Sequence, residues 1–249
     1  MTFSGLYIER SDHKYPSIHI MENIKVIGFD ADDTLWVNEP FFRDSEEQFC
    51  DLLEGYMPRH DIMKLLFSVE IKNLDLYGYG IKAFVLSMIE AAMEITGGTV
   101  NPQTIQKILQ IGRNQLLMPV ENLPGVEETI LHLKKTYKLV VVTKGDLLDQ
   151  ERKLEKSGLL PYFHHIEIVS EKKESEYHKL LRHLDITPDE FLMVGNSLKS
   201  DILPILAIGG WGFHIPFHTT WAHEHVEITI KNEKFRELES IHELIGILP

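Results

Sequence analysis

Cysteine is nearly absent. Cys50 is the single thiol in 249 residues, so no internal disulfide framework can form, as suits a reducing cytoplasm. Among Glu46, Glu47, Phe49 and Leu52 it reads as a small buried hydrophobe and not as a nucleophile. Long apolar runs are missing too. No segment approaches the ~18 consecutive apolar residues of a membrane-spanning helix, and residues 1–19 lack the apolar stretch of a signal peptide. A soluble, cytoplasmic chain is therefore expected. Positive charge is in deficit: 25 Lys and Arg against 38 Asp and Glu leave a formal net charge of −13. That balance argues against nucleic acid or an anionic membrane as a partner, since both require basic patches. Repeats and low-complexity tracts are also lacking. The length suits one large α/β domain, or one domain carrying a smaller insertion.

What is present begins at residues 24–35, IKVIGFDADDTL. An apolar, β-favouring run delivers Asp30 and Asp32 just past its end. Residues two apart on an extended backbone project to the same side, so both acids can face one small volume. One carboxylate can then attack while the other moves protons. Two acids so close repel, and the pair calls for a cation, with oxygen-seeking Mg²⁺ the usual choice.

From residue 38 to about residue 118 the pattern turns helical. Residues 41–54, 59–72, 81–96 and 102–117 each carry apolar side chains at three-to-four spacing. Breaks fall at Gly55–Pro58, Gly78–Gly80 and Gly97–Asn101, the last followed by Pro102 as a helix start. This predicts a helical domain over 38–118, inserted into a core made of 1–37 and 119–249. Alternation then resumes, with strands expected at 139–142, 166–169, 191–194 and 211–215. Helices are expected between them, including 147–156, 177–184 and 202–208. A final helix over 231–249 would pack through Phe235, Leu238, Ile241 and Leu244. Short apolar strands separated by helices predict an α/β fold: a Rossmann-like parallel sheet core covered on both faces. Ligands of such sheets bind outside the carboxyl ends of the strands.

Those ends collect the chemistry. Asp30 and Asp32 follow the first strand, Thr143 and Lys144 the second. Lys172 with Lys173, then Asn196 and Asp201, follow later strands. Separate strands supply them, so sequence proximity does not force their convergence. In this arrangement the chain resembles the haloacid dehalogenase superfamily of phosphohydrolases with a helical cap of the C1 type after the first strand. The matching motifs are DADDT at 30–34, VVVT ending at Thr143, a lysine ahead of a helix, and GNSLKSD at 195–201. DxDx[TV] alone is weakly specific, but four motifs in order at strand ends are strongly so.

The resemblance implies a phosphatase acting on a small phosphorylated metabolite through an aspartyl-phosphate on Asp30. It implies Asp32 as general acid and base. Mg²⁺ would be held by Asp30, the Asp32 backbone carbonyl, Asn196 and Asp201, while Thr143 and the motif lysine grip the phosphoryl oxygens. Lys172, five residues before Tyr177, is favoured over Lys173 because related chains space it so. Asn196 stands where the family usually has Asp, removing one charge from the expected metal site. A phosphomutase or phosphotransferase with the same intermediate, and a non-catalytic binding module, remain open alternatives. A dehalogenase fits less well, since that reaction does not need Asp32 as a proton donor.

The remaining residues read less sharply. Asp33 is expected to cap the turn, Lys199 to sit exposed, and Lys144 and Asp146 to be loop charges, with Lys144 also a candidate for substrate contact. Tyr77 and Tyr79, in an aromatic and glycine-rich break between helices, are candidates to touch substrate or simply to pack on the bundle. Arg113 and Asn114 are weaker candidates for reaching a ligand. His214, His218, His223 and His225 around Trp221 do not match a known metal spacing, though His218 or Trp221 can lie at the pocket rim. A homodimer is compatible with the sequence without being specified by it.

Overall fold

The computed structural model describes residues 21–248. The expectation for residues 1–19 lies outside them. Six strands form one sheet in the order β3-β2-β1-β4-β5-β6, every neighbouring pair parallel. They are β1 (Val26–Phe29), β2 (Lys138–Lys144), β3 (His165–Val169), β4 (Phe191–Gly195), β5 (Trp211–His214) and β6 (Phe235–Glu237). Order reverses at β1, which pairs with β2 on one side and β4 on the other. The cleft beyond that switch point is where ligands of such sheets bind.

Side-chain alternation builds the two faces. Ile27, Phe29, Leu139, Val141, Leu192, Val194 and Phe213 point to one side. There they meet Val126, Ile130 and Leu133 of α5 (Val126–Leu133), Leu154 of α6 (Leu147–Lys156) and Leu244 of α9 (Leu244–Ile247). Val26, Val140, Val142, Phe191 and Met193 point to the other. They pack on Tyr177, Leu180 and Leu181 of α7 (Glu174–Leu184) and on Ile205 of α8 (Leu203–Ala207). Gly28 sits in the middle of β1, where a Cβ would lie 2.4 Å from the Phe191 ring.

Between β1 and α5 run four helices: α1 (Glu39–Leu53), α2 (Arg59–Tyr77), α3 (Ile81–Ile95) and α4 (Pro102–Leu117). They enclose an apolar core of their own around Phe49, Leu53, Ile62, Leu66, Phe84, Met88 and Ile108. Cys50 lies in it, fully buried, and burial pushes its thiol up to about 11, so it packs as a hydrophobe. Asn101 caps α4, accepting from the Gln103 amide at 2.8 Å, and Pro102 takes the first helical position. Among the described residues no helix is long and apolar enough to cross a membrane.

The C-terminal segment departs from expectation. In place of one helix over 231–249 there is the edge strand β6, a 3-10 turn at Ile241–Glu243 and the short α9. Leu238, Ile241 and Leu244 are buried as foreseen, because a spacing of three suits either arrangement. Two local features decide between them. The Phe235–Glu237 backbone pairs with β5, and Ser240 with Glu243 forms a reciprocal capping box that starts the helical turn late. The 202–208 helix is also shorter than expected, since residues 198–202 form a π-helical turn ahead of α8.

Removal of the Phe191 ring, fully buried under Gly28, should cost about 3–5 kcal/mol. Urea unfolding of Phe191→Ala checks this; a loss under about 1 kcal/mol would mean the sheet does not depend on that packing.

Candidate active site

The carboxyl ends of β1, β2 and β4 open onto one cavity of about 190 Å³ lying between the sheet and the helical insert. Asp30, Asp32, Thr143, Lys144, Lys172, Asn196 and Asp201 all line it, so the structure gathers those candidates as the strand ends predict. Asp30 follows β1 directly and is 7% exposed. Lys172, 4% exposed, donates to both Asp30 Oδ1 and Asp201 Oδ1, the latter at 2.6 Å. Lys173 instead stands exposed as the N-cap of α7.

Burial pushes the Asp30 carboxyl up to about 7, with the Asp201 and Asp32 charges adding to it and Lys172 opposing. Burial alone would lower the Lys172 ammonium, but the Asp201 and Asp30 carboxylates overcome it and hold it above its ordinary value. The Thr34 hydroxyl lies 3.2 Å from Asp30 Oδ2 and 3.3 Å from Asn196 Oδ1, and accepts from the Asn196 backbone N–H at 3.1 Å.

Asp201 reaches the rim by a route only glycine permits. Its Oδ2 accepts from the Ser197 amide at 3.0 Å, and a Cβ on Gly195 would lie 2.2 Å from that oxygen. His214, buried behind the same loop, donates from Nε2 to the Asn196 carbonyl at 3.0 Å. The four histidines therefore form no common site: His218 and His225 are exposed and His223 turns to Lys199.

Oxygen donors dominate the rim: the Asp30 and Asp201 carboxylates and the Asn196 amide oxygen. Asp30 and Asn196 reach the same Thr34 hydroxyl, so their oxygens share one neighbourhood. Two buried carboxylates against the one ammonium of Lys172 leave excess negative charge. Such a donor set fits a hard divalent cation of the Mg²⁺ type. Asp33 does not join it. With φ at 61° it turns away and accepts from the Asn38 amide at 2.8 Å and from the Glu39 amide, capping α1.

Several residues carry more than expected. Lys144 is no solvated loop charge: it pairs with Glu224 at 2.5 Å, donates to Ser200 Oγ at 3.0 Å and lies 4.1 Å over the Tyr79 ring. Lys199 is engaged too, donating to the His223 carbonyl at 2.8 Å. Asp146 caps α6 and pairs with Lys82 of α3 at 2.8 Å, tying core to insert. Tyr77 and Tyr79 both line the cavity but bond differently. Tyr77 donates to Glu90 on the bundle at 2.6 Å, and Tyr79 donates across to Glu171 of the core at 2.7 Å. Arg113 and Asn114 are exposed and line no part of the cavity, because the inner side of α4 is taken by Ile108, Ile111 and Gly112.

Sequence reasoning missed Gln150, Lys153 and Glu224, all of which line the cavity. Gln150 and Lys153 share a face of α6, an i, i+3 signal that was open to reading. Glu224 had no local signal. It belongs to a segment beyond β5, and its Oε2 accepts from Ser197 and Ser200 hydroxyls at 2.6 Å each. Nearby, the Trp221 ring meets Phe67 and Tyr79 of the insert edge-on, at 6.4 and 6.0 Å between centroids.

Comparison with known proteins identifies the family. The haloacid dehalogenase-like hydrolase model matches residues 24–209, and the chain belongs to that family. It is 25% identical over 198 residues to the glyceraldehyde 3-phosphate phosphatase of Pyrococcus furiosus, covering 76% of this chain and 79% of that one. It is 25% identical over 118 residues to human N-acylneuraminate-9-phosphatase, covering 45% of this chain; the match spans about half of that enzyme, 48%. Among solved structures, a haloacid dehalogenase-like family hydrolase from Xanthomonas campestris superposes with a TM-score of 0.80 at 40% identity, covering 90% of each chain.

Burial would raise the Glu224 carboxyl, but Lys144 and the two serine hydroxyls draw it down to about 2 from an ordinary 4.5. A folded value below the unfolded one contributes stability above about pH 4.5, lost as pH falls toward 2; the gap is worth on the order of 3 kcal/mol. Acid titration of Glu224→Gln, followed by circular dichroism, should show a shallower loss of stability across that window. An unchanged slope would refute the pairing.

Proposed function

We propose that this protein is a Mg²⁺-dependent phosphatase that hydrolyses a small phosphorylated metabolite through an aspartyl-phosphate on Asp30. The observation that carries the reading is the buried Asp30 carboxylate held beside Lys172 and Asp201 at the mouth of the cavity. The phosphatase activity named for the Pyrococcus and human relatives supports it.

An Asp30 oxygen attacks phosphorus, and the phosphorus–ester oxygen bond breaks with its electron pair leaving on the alcohol oxygen. Asp32 gives that oxygen a proton. In the second half a water oxygen attacks phosphorus, Asp32 takes back the proton, and the bond to Asp30 breaks, releasing phosphate. Thr143, 2% exposed at the end of β2, and Lys172 meet the phosphoryl oxygens where charge accumulates. Asp30, Asp201, Asn196 and the Asp32 carbonyl would hold the metal, which supplies charge neutralisation when bound.

The helical insert acts here as a cap over the site, excluding water and selecting the leaving group. Phe42, Phe84, Tyr79 and Trp221 give that side of the cavity an aromatic lining. Lys144, neutralised by Glu224, bounds the phosphoryl side and does not float free in it.

The test is a panel of phosphorylated metabolites with Mg²⁺ and detection of free phosphate, where release of phosphate from a monoester is the expected result. Isomerised sugar phosphate in its place would indicate a mutase, and no metal binding with no turnover a binding module. Asp30→Asn should lower turnover at least about a thousandfold and abolish trapping of the phospho-enzyme, since an amide is a poor nucleophile. Near wild-type turnover in that variant would refute the mechanism.

A further inference from the structure

Asp32 is gripped from three sides. The Trp36 indole N–H donates to Oδ1 at 2.7 Å, the Lys153 ammonium donates to the same oxygen at 3.0 Å, and the Gln150 amide donates to Oδ2 at 2.7 Å. Trp36 is local, four residues on. The other two come from α6, more than a hundred residues away in sequence, and share one face of that helix.

Gln150 is 4% exposed, and its second amide hydrogen is also committed, to the Lys144 carbonyl at 2.8 Å. Both acceptors face the nitrogen, so a flipped amide would set oxygen against oxygen twice. The side chain thus has one orientation. Gly145 makes room for it: with φ at 135°, a Cβ there would lie 2.8 Å from Gln150 Nε2. Lys153 is similarly shared, donating also to Asn38 Oδ1 at 2.7 Å where the chain crosses into the insert.

The start of α6 is anchored by the insert as well. Its capping residue Asp146 pairs with Lys82 at 2.8 Å, and Gly80 backs onto the Asp146 backbone, 3.1 Å from where its Cβ would be. One helix therefore bears on the insert at its first turn and on Asp32 through the next.

We propose that α6 is the positioning element of the proton-transferring carboxylate, with Gln150 and Lys153 fixing the Asp32 side chain in the orientation that faces the leaving-group oxygen. The inference rests on the reading of Asp32 as general acid and base. Proton transfer needs heavy atoms within about 2.6–3.2 Å, and a carboxylate free to rotate in a cavity of about 190 Å³ holds that distance only part of the time. Neither residue touches phosphorus; each acts through Asp32.

A leaving-group comparison separates this role from simple support of the fold. An alkyl phosphate departs as a strongly basic alkoxide and requires the proton. p-Nitrophenyl phosphate departs as a stable phenolate and does not. Single-turnover release of the alcohol or phenol by the Mg²⁺-loaded enzyme isolates the first half-reaction, and Gln150→Leu is the main variant because it leaves the charge unchanged. We expect its rate with the alkyl phosphate to fall about 10- to 100-fold, with at most about a threefold fall for the aryl phosphate. Lys153→Met should behave likewise and Lys153→Arg should recover most of the alkyl rate, with unfolding midpoints confirming that each variant is folded. Equal falls for both substrates, or no fall with either, overturn the positioning role. Asp32→Asn serves as the reference. If it discriminates between the substrates while the α6 variants do not, only the positioning role is lost. If it does not discriminate, the reading of Asp32 fails and the positioning role fails with it.

Discussion

Two carboxylates and one ammonium, all nearly sealed from water, set the terms for everything around them. Asp30, Asp201 and Lys172 are 7%, 1% and 4% exposed, so each charge would be costly to bury alone. Held together they are tolerable, and loss of one member of such a buried set typically costs about 3–5 kcal/mol because its partner is left uncompensated. The architecture supplies the three from the ends of β1, the β3–α7 connection and the loop after β4. The parallel sheet, reversing order at β1, brings those ends together. The missing Cβ at Gly195 follows from the same demand, since Asp201 occupies its place.

Around this triad the site is assembled in layers of different origin. The rim residues lie at or just beyond the strand ends. Asp32 depends on α6, and α6 depends at its start on the insert. The aromatic wall is shared between the insert and the segment beyond β5, where Trp221 stands against Phe67 and Tyr79. Moving outward from Asp30, the contacts pass from one continuous core to several independent pieces of chain.

The same gradient governs what could be read from sequence. Strand ends announce themselves, because a run such as VIGF or FLMVG has to be buried and whatever polar residue follows it has to lie at the rim. Asp30, Thr143 and Asn196 are legible on that ground, and Lys172 only through the spacing of the family the chain resembles. The terminal helix was misread because Phe235, Leu238, Ile241 and Leu244 satisfy a spacing of three without revealing that the first is paired to β5. Lys144 looked solvated because its partner, Glu224, lies 80 residues on and is brought near only by the return of the chain after β5. Long-range ion pairs leave no local pattern, whereas buried strands do.

Trp221 and Glu224 lie beyond residue 209, where the match to the haloacid dehalogenase-like hydrolase model ends. A wall of the cavity is thus built from chain downstream of the matched region. It is fastened at both ends: Glu224 holds it to Ser197, Ser200 and Lys144, and the chain after it rejoins the sheet as β6. A change in that wall is therefore felt twice, by the cavity it lines and by the loop that carries Asp201.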